Sequence, residues 1–596
     1  MKYSFNFGVV SRTGGTRPGA ASAGGGGGGA FRIALLGDFS GRANRGELET
    51  GDALAKRKPI RVDVDTIDAV IQRLKITLSL PLGQDAAISV PIGGMDDFHP
   101  DQLFEKVDVF TELGALRRRL QSSATADKAI KEVQSWAGKG KKVRTPRNAS
   151  ARGAELPAGA TLDDFANLLG RPTSAAGGGG KAAQQAADLV KKIVGPYIVP
   201  ARDPRRDAML AAVDTALSDA MRALLHHPDF QVMESIWRGV DFLTRRLETD
   251  SSLQIILYDL TAQELAADLA AADDLAETGL YRLLVEQPAL DAQQGPLSLI
   301  IGLYTFEMTP PHAELLGRVA KLAASAGAGG APFIAAISAD VLTMLKDEDV
   351  HPMILDAWKQ LGLLPEANYL GLTVPRFLLR RPYGERTDPI DQFDFEEFTP
   401  AAGLSAMLWG HGGFIAALLL GETFRKQGKK MKPGSILSVG DMPYHFFTDA
   451  DGDQVALPCT ERLINLRTAE QLTRRRFMPL LSMQGKPEVR LGSLCSLAGP
   501  WAPVTIKPDA TAAAPQPAAA EDASGGDSPA QESAQDAELA ALLAEIGGDS
   551  GGGGGEEGAS QEPPASREEP TAADTPASPE EEEPMDPELA ALLAEL

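Results

Sequence analysis

The sequence predicts an α/β protein: a small α/β domain joined to a larger mixed α/β domain, with a disordered linker between them and a disordered tail. Three observations predict it. Short apolar runs alternate with amphipathic helical stretches over residues 1–122 and again over 201–505, as in sheets covered by helices on both faces. Residues 123–200 turn rich in Lys, Arg, Ala and Gly, with the run Gly177–Gly180, which is spacer composition. Residues 506–596 are dominated by Ala, Pro, Glu and Asp and cannot bury enough apolar surface to offset the entropy of folding.

In the first domain Lys2–Val10 alternates like a strand, and a spacer containing Gly24–Gly29 follows. Phe31–Leu36 is the next strand, ended by Gly37-Asp38-Phe39-Ser40-Gly41. Pro59–Val64 is a short strand, after which Asp65 or Thr66 can cap a helix carrying Ile67, Val70, Ile71 and Leu74 on one face. Ile76–Leu80 and Ala87–Pro91 are strands, and one helix runs from Pro100 through Leu103, Phe104, Val107, Phe110 and Leu113 to Leu120. Its apolar side is a candidate interface with the second domain.

The linker holds two helical islands, Leu162–Leu169 and Lys181–Val194. In the second domain helices run from about Pro204 to Leu225 and from Pro228 to Leu247. The latter carries Phe230, Met233, Ile236, Trp237 and Val240 at core spacing. Strand Leu253–Leu260, helix Ala262–Ala271, strand Leu297–Tyr304, helix Pro311–Ser325 and strand Phe333–Ser338 follow, an order that indicates a mostly parallel sheet. Thr399 to Gly421 has no formal charge, but its centre, Trp409-Gly410-His411-Gly412-Gly413, makes a poor membrane-spanning helix. A loop followed by a buried helix from Phe414 to Phe424 fits better.

The net charge of −23 is a property of the tail. Residues 507–596 hold 22 acidic side chains against Lys507 and Arg567, so the rest is nearly neutral. A tail of that sign repels phosphate and argues against a nucleic-acid partner. Cys459 and Cys495 are too few for a disulfide framework and lack metal-site spacing, which leaves two buried thiols. The first residues lack the apolar core of a signal peptide.

No phosphate loop, dinucleotide turn, HExxH or GxSxG is present. Asp449-Ala450-Asp451-Gly452-Asp453 copies the start of a calcium loop, but Gln454 replaces the required Gly and Thr460 the final Glu, so an acidic hairpin turn is the better reading. His226-His227 before Pro228, and His99 before Pro100, suit helix caps. Asp96-Asp97 reads the same way. Arg380 and Arg381 beside Tyr383 suit an anion grip or, more ordinarily, a salt bridge. Nothing assembles nucleophile, base and orienter; the sequence reads as a non-enzyme without cofactor or metal.

Two sets of sequence words occur in order. Leu36-Gly37-Asp38-Phe39-Ser40-Gly41, Lys58-Pro59-Ile60 and Met95-Asp96-Asp97-Phe98-His99-Pro100-Asp101 resemble the small sheath subunit of type VI secretion systems (TssB, or VipA). The second set runs His226-His227-Pro228-Asp229-Phe230-Gln231, Glu234, Trp237-Arg238-Gly239, Phe242-Leu243, Tyr258-Asp259-Leu260 and Glu264-Leu265. It continues with Phe333-Ile334-Ala335, Leu379-Arg380-Arg381-Pro382-Tyr383-Gly384, Phe395-Glu396-Glu397, Leu408-Trp409-Gly410 and Phe477-Met478-Pro479-Leu480. These resemble the large subunit (TssC, or VipB).

The resemblance implies a structural, cytoplasmic bacterial protein, docked at the inner membrane through a baseplate rather than inserted in it. It implies partnership with other sheath subunits, or with itself, in a helical tube around an inner tube protein. Strands exchanged between protomers link such neighbours, and a contact that does not close gives a helix rather than a ring. It further implies recycling by an AAA+ ATPase that grips a short helix, by position Leu162–Leu169, through Leu162, Phe165, Leu168 and Leu169. Two departures accompany it: the subunits are normally separate chains, and the large-subunit family continues past Phe477–Leu480 with a region that supplies inter-protomer strands.

The tail contains a repeat. Asp536–Ile546 and Asp586–Leu596 share nine of eleven residues. Each begins with an N-cap Asp and carries leucines at i, i+3, i+4 and i+7: Leu539, Leu542, Leu543 and Ile546, then Leu589, Leu592, Leu593 and Leu596. Eleven residues are too few for a stable isolated helix, so the stripes read as docking motifs for a partner groove. The competing expectation is that they pair with each other or lie on the folded domains. They also support an alternative function, a sheath-like adaptor that does not polymerise and docks partners through its tail.

Overall fold

Phe31–Gly37 is buried along its whole length, and a strand of this kind needs neighbours on both edges and cover on both faces. The computed structural model, which describes residues 5–11, 30–81, 87–136, 154–155, 206–290, 295–327, 329–448, 452–499 and 501, supplies all four. Phe31–Gly37 pairs in parallel with Leu253–Asp259 on one side and with Leu299–Phe306 on the other. Residues more than 200 positions apart in the sequence are thus adjacent strands of one sheet.

From edge to edge the main path runs Ser438–Val439, Val489–Leu491, Met478–Ser482, Leu370–Val374, Phe333–Ile337, Leu299–Phe306, Phe31–Gly37, Leu253–Asp259 and Ile60–Val62. Its middle is parallel and its two edges are antiparallel. Ala154–Glu155 pairs beside the end of Leu299–Phe306, off this path. The mixed α/β architecture expected from the sequence is therefore the one formed.

Strand alternation distributes the core. Phe31, Ile33 and Leu35 face a layer built from helices Ile67–Leu74, Asp108–Gln121, Arg206–Leu225, Pro228–Arg246 and Gly413–Gln427. Ala34 and Leu36 face the opposite layer, built from helices Ala262–Ala270, Pro310–Ser325, Pro352–Leu363 and Leu466–Arg474. Each core draws on both the N-terminal and the C-terminal part, and all of it lies in one compact unit, Met1–Ala513.

Some elements differ from expectation. The helix expected from Pro100 to Leu120 is two, Pro100–Lys106 and Asp108–Gln121, because Val107 is extended and buried between them. The helix Ala126–Trp136 falls inside the stretch read as linker and packs against Asp108–Gln121 through Ala129 and Val133. Of the expected strand Lys2–Val10, the described part makes a single bridge, Val9 to Asp274, and is otherwise tied down by side chains. Arg318 donates to the Asn6 carbonyl (3.2 Å) and Asn6 donates to Asp273 (2.8 Å). The uncharged stretch ends in the buried helix Gly413–Gln427, and no helix among the described residues is long and apolar enough to cross a membrane.

Candidate functional site

Two networks of buried charge lie at or beside the seam between residues 30–135 and 206–499. The first sits at the carboxyl ends of the central strands. Gly41 adopts φ +76°, which turns the chain sharply after Gly37-Asp38-Phe39-Ser40 and favours glycine. Asp38 then accepts from the backbone N–H of Arg42 (2.7 Å) and Ala43 (2.9 Å). Asp259, on the neighbouring strand, accepts from the N–H of Phe39 (2.9 Å) and Ser40 (3.2 Å) and from the Ser40 hydroxyl (2.7 Å). Each carboxylate satisfies turn donors that would otherwise be buried unpaired.

Arginines from the N-terminal part cross this seam. Arg57 donates to the Asp259 carbonyl (2.7 Å) and to Glu264 (2.8 Å), and Arg42 Nε lies 3.3 Å from Glu264. Glu264 also closes a capping box with Thr261 at the start of Ala262–Ala270. Burial would push Glu264 up, but Arg57 outweighs it and holds the carboxyl below its usual range. Asp38 has no such cation: burial first, then the Asp259 charge, pushes it up to about 6 against the pull of its backbone donors.

The second network, inside the C-terminal part and touching the seam through Phe98, joins the Pro228–Arg246 helix to the 380–397 segment. Arg380 is gripped by Glu234 (2.7 Å) and Glu397 (2.6 Å) and lies over the Tyr383 ring at 4.1 Å. Arg238 donates to Glu234 (2.7 Å) and to the Tyr383 hydroxyl (2.7 Å), which donates onward to the Phe98 carbonyl at 3.3 Å. His226 Nε2 lies 3.4 Å from Glu397. Burial alone would raise Glu397; Arg380 and His226 reverse this and bring it down to about 2. Beside the network Trp237 is fully buried, donates to the Phe39 carbonyl (3.1 Å) and stacks edge-on to Phe39. Phe98 meets Phe230 and Phe104 meets Phe393. Leu103, Phe104, Val107 and Phe110, the apolar side read as a candidate interface, are all buried in the shared core.

The arrangement is built to hold two parts of a chain together. Of the residues read as caps, His99 and His227 accept from the N–H of Asp101 and Asp229 (both 3.3 Å), whereas Asp97 lies inside the turn Met95–Phe98 and accepts from Gly93 (2.7 Å), and Thr66 stands at the start of Ile67–Leu74 without a side-chain cap bond. Arg380 makes the salt bridge rather than the anion grip. The acidic segment 449–453 connects two antiparallel strands, Phe446–Thr448 and Gln454–Ala456. Cys459 and Cys495 are buried free thiols, and burial pushes both up. Among the described residues no group of three His, Cys, Asp or Glu side chains could hold a metal ion.

The partner-binding candidates Leu162, Phe165, Leu168, Leu169, Leu539, Leu542, Leu543, Ile546, Leu589, Leu592, Leu593 and Leu596 lie outside the described residues. Sequence reasoning passed over Asp38, Arg57, Asp259 and Glu264 as a group. Asp38, Asp259 and Glu264 stand inside the words of the family resemblance and Arg57 directly beside one, and that was the available signal.

Comparison with known proteins now bears on the two halves of the seam separately. Residues 30–135 match the family described as type VI secretion system, VipA. Residues 207–498 match the family described as VipB (EvpB), tail sheath N-terminal domain. Over these residues the chain is similar to two type VI sheath-subunit families, one on each part of a single polypeptide. The second match is supported by the type VI secretion system sheath protein TssC1 of Pseudomonas aeruginosa, 33% identical over 291 residues. That alignment takes in 46% of this chain, and the chain spans 58% of the length of the relative. The seam thus lies between a VipA-type part and a VipB-type part of one polypeptide.

Proposed function

We propose that the protein is a structural component of a type VI contractile sheath, a fusion of small and large subunits that assembles with other sheath subunits or with itself around an inner tube. The observation that carries this reading is the central strand. A VipA-type segment contributes Phe31–Gly37 between two strands of the VipB-type segment, so the two are one folding unit, as a sheath protomer requires. Fusion keeps the pair at matched amounts and high effective concentration. Recycling by an AAA+ ATPase that grips Leu162–Leu169, and docking at the inner membrane through a baseplate, belong to the same reading.

A second reading keeps the protomer but not the polymer: an adaptor that binds partners through the repeats Asp536–Ile546 and Asp586–Leu596. The repeats themselves favour it. Negative-stain electron microscopy of the purified chain, alone and mixed with other sheath subunits, separates the two. Tubes are expected from a sheath subunit; discrete particles that bind a partner only with intact repeats overturn the first reading for the second.

A further inference from the structure

The helix Leu466–Arg474 buries Ala469 and Leu472 against the sheet and is capped by Asn465, which accepts from Thr468 N–H at 2.8 Å. Its outer side is unusual. Leu463 and Leu466 are 72% and 73% exposed, and Arg462, Arg467, Arg474 and Arg476 are exposed around them, with Glu470 as the one exposed acid of residues 462–476. Arg475, by contrast, is tied to Asp347 at 2.8 Å. Two bare leucines ringed by arginines suit a surface that is leucine-striped and acidic.

The sequence contains such a surface twice. In Asp586–Leu596 the stripe Leu589, Leu592, Leu593 and Leu596 is bordered by Glu588 and Glu595; in Asp536–Ile546 the stripe is bordered by Glu538 and Glu545. The glutamates are seven residues apart, and so are Arg467 and Arg474. Seven helical residues span about 10.5 Å on one face, so two helices laid side by side bring both charge pairs together while the leucines meet. Each chain holds two repeats and, among the described residues, one face of this composition. At least one repeat per chain is therefore left over for the face of a second copy.

We propose that the 462–476 face is the docking site for a leucine repeat of a second copy of this chain, with Arg467 and Arg474 pairing to its glutamates and Leu463 and Leu466 covering its stripe. The tail then cross-links copies independently of the sheath contacts. This rests on the sheath reading only in supplying many copies side by side.

The test uses full-length chains. An immobilised copy carrying L542D and L592D, so that its own repeats are disabled, is offered a copy with intact repeats. Capture above that of a pair with both sets disabled is expected, weakening as salt rises. R467E/R474E in the immobilised copy should lower it about tenfold or more through like-charge contact. Supplying a copy with E538K, E545K, E588K and E595K should restore it, which a misfolded variant could not do. Capture indifferent to R467E/R474E, or not restored by the reversed glutamates, overturns the proposal. Tubes counted by microscopy in the same samples keep the questions apart: tubes with indifferent capture refute the docking site alone, and charge-dependent capture without tubes refutes the sheath polymer alone.

Discussion

Single residues carry the seam and the charge network beside it, and two of them act with opposite sign. The Asp38 carboxyl is pushed up to about 6, above the ordinary Asp value of about 3.9, so the fold binds that proton more tightly than the unfolded chain does. Its contribution is fully present below about pH 4 and is lost as pH rises through 6. Glu397 is brought down to about 2, so its contribution is present above the ordinary Glu value and lost as pH falls toward 2. Urea unfolding from pH 4 to 7 should therefore show D38N destabilising most at the acid end, with the difference shrinking toward neutrality. A pH-independent difference would place the burden of Asp38 elsewhere. At Arg380 the expectation is larger: R380M leaves Glu234 and Glu397 buried without their shared cation, at a cost of about 3–5 kcal/mol. Trp237 is fully buried against Phe39, and W237A should cost about 3–5 kcal/mol by leaving a cavity. Thermal melting reads both; near-wild-type melting of W237A would weaken the account of the seam.

At the scale of elements, burial decided what was legible. Strands buried on both faces, such as Phe31–Gly37 and Leu253–Asp259, stand out as apolar runs and were found within a residue or two. Leu370–Val374, Met478–Ser482 and Val489–Leu491 were not assigned, because short strands flanked by Pro, Gly and long loops leave no period to read. The break at Val107 was invisible for a related reason: its side chain continues the helical stripe while its backbone is extended. The seam itself was legible only as words. Leu36–Gly41, Met95–Asp101, Glu234, Trp237-Arg238-Gly239, Asp259, Leu379–Gly384 and Glu397 carry the family resemblance, and the structure brings them to one interface. Charge pairing at that distance has no local signature. Close packing between elements yields its own prediction. A Cβ on Gly239 would lie 2.1 Å from the Phe414 ring, where the Pro228–Arg246 and Gly413–Gln427 helices cross. G239A should destabilise by about 1–3 kcal/mol through overpacking, although alanine is the better helix former; a gain in melting temperature would contradict the crossing.

For the whole molecule, the connection between the two parts matters less than the sheet they share. Phe31–Gly37 has a partner from the C-terminal part on each edge, and both cores draw from both parts. Separated, residues 1–200 would expose that strand's apolar faces and two unpaired edges, a template for aggregation. Residues 201–596 would keep a slot between Leu253–Asp259 and Leu299–Phe306, with the inner faces of Arg206–Leu225 and Pro228–Arg246 stripped of Phe39, Phe98 and Phe104. An interface of this kind resembles a domain core cut in half rather than a docking surface. Two outcomes follow. Expressed alone, either piece should be insoluble or show the expanded, dye-binding state of a protein without fixed packing; expressed together, they should co-purify at equal amounts. A protease site placed in the 156–200 stretch should, once cut, leave the halves associated through gel filtration and with one cooperative melt. R57M, which removes an arginine that pairs across the cut with Glu264 and Asp259, should then separate them at concentrations where the uncut chain stays folded, since only the cut form can lose its partner by dilution. Two soluble pieces that do not associate would break the account at its centre, because without Phe31–Gly37 the edges of Leu253–Asp259 and Leu299–Phe306 that face it have no partner.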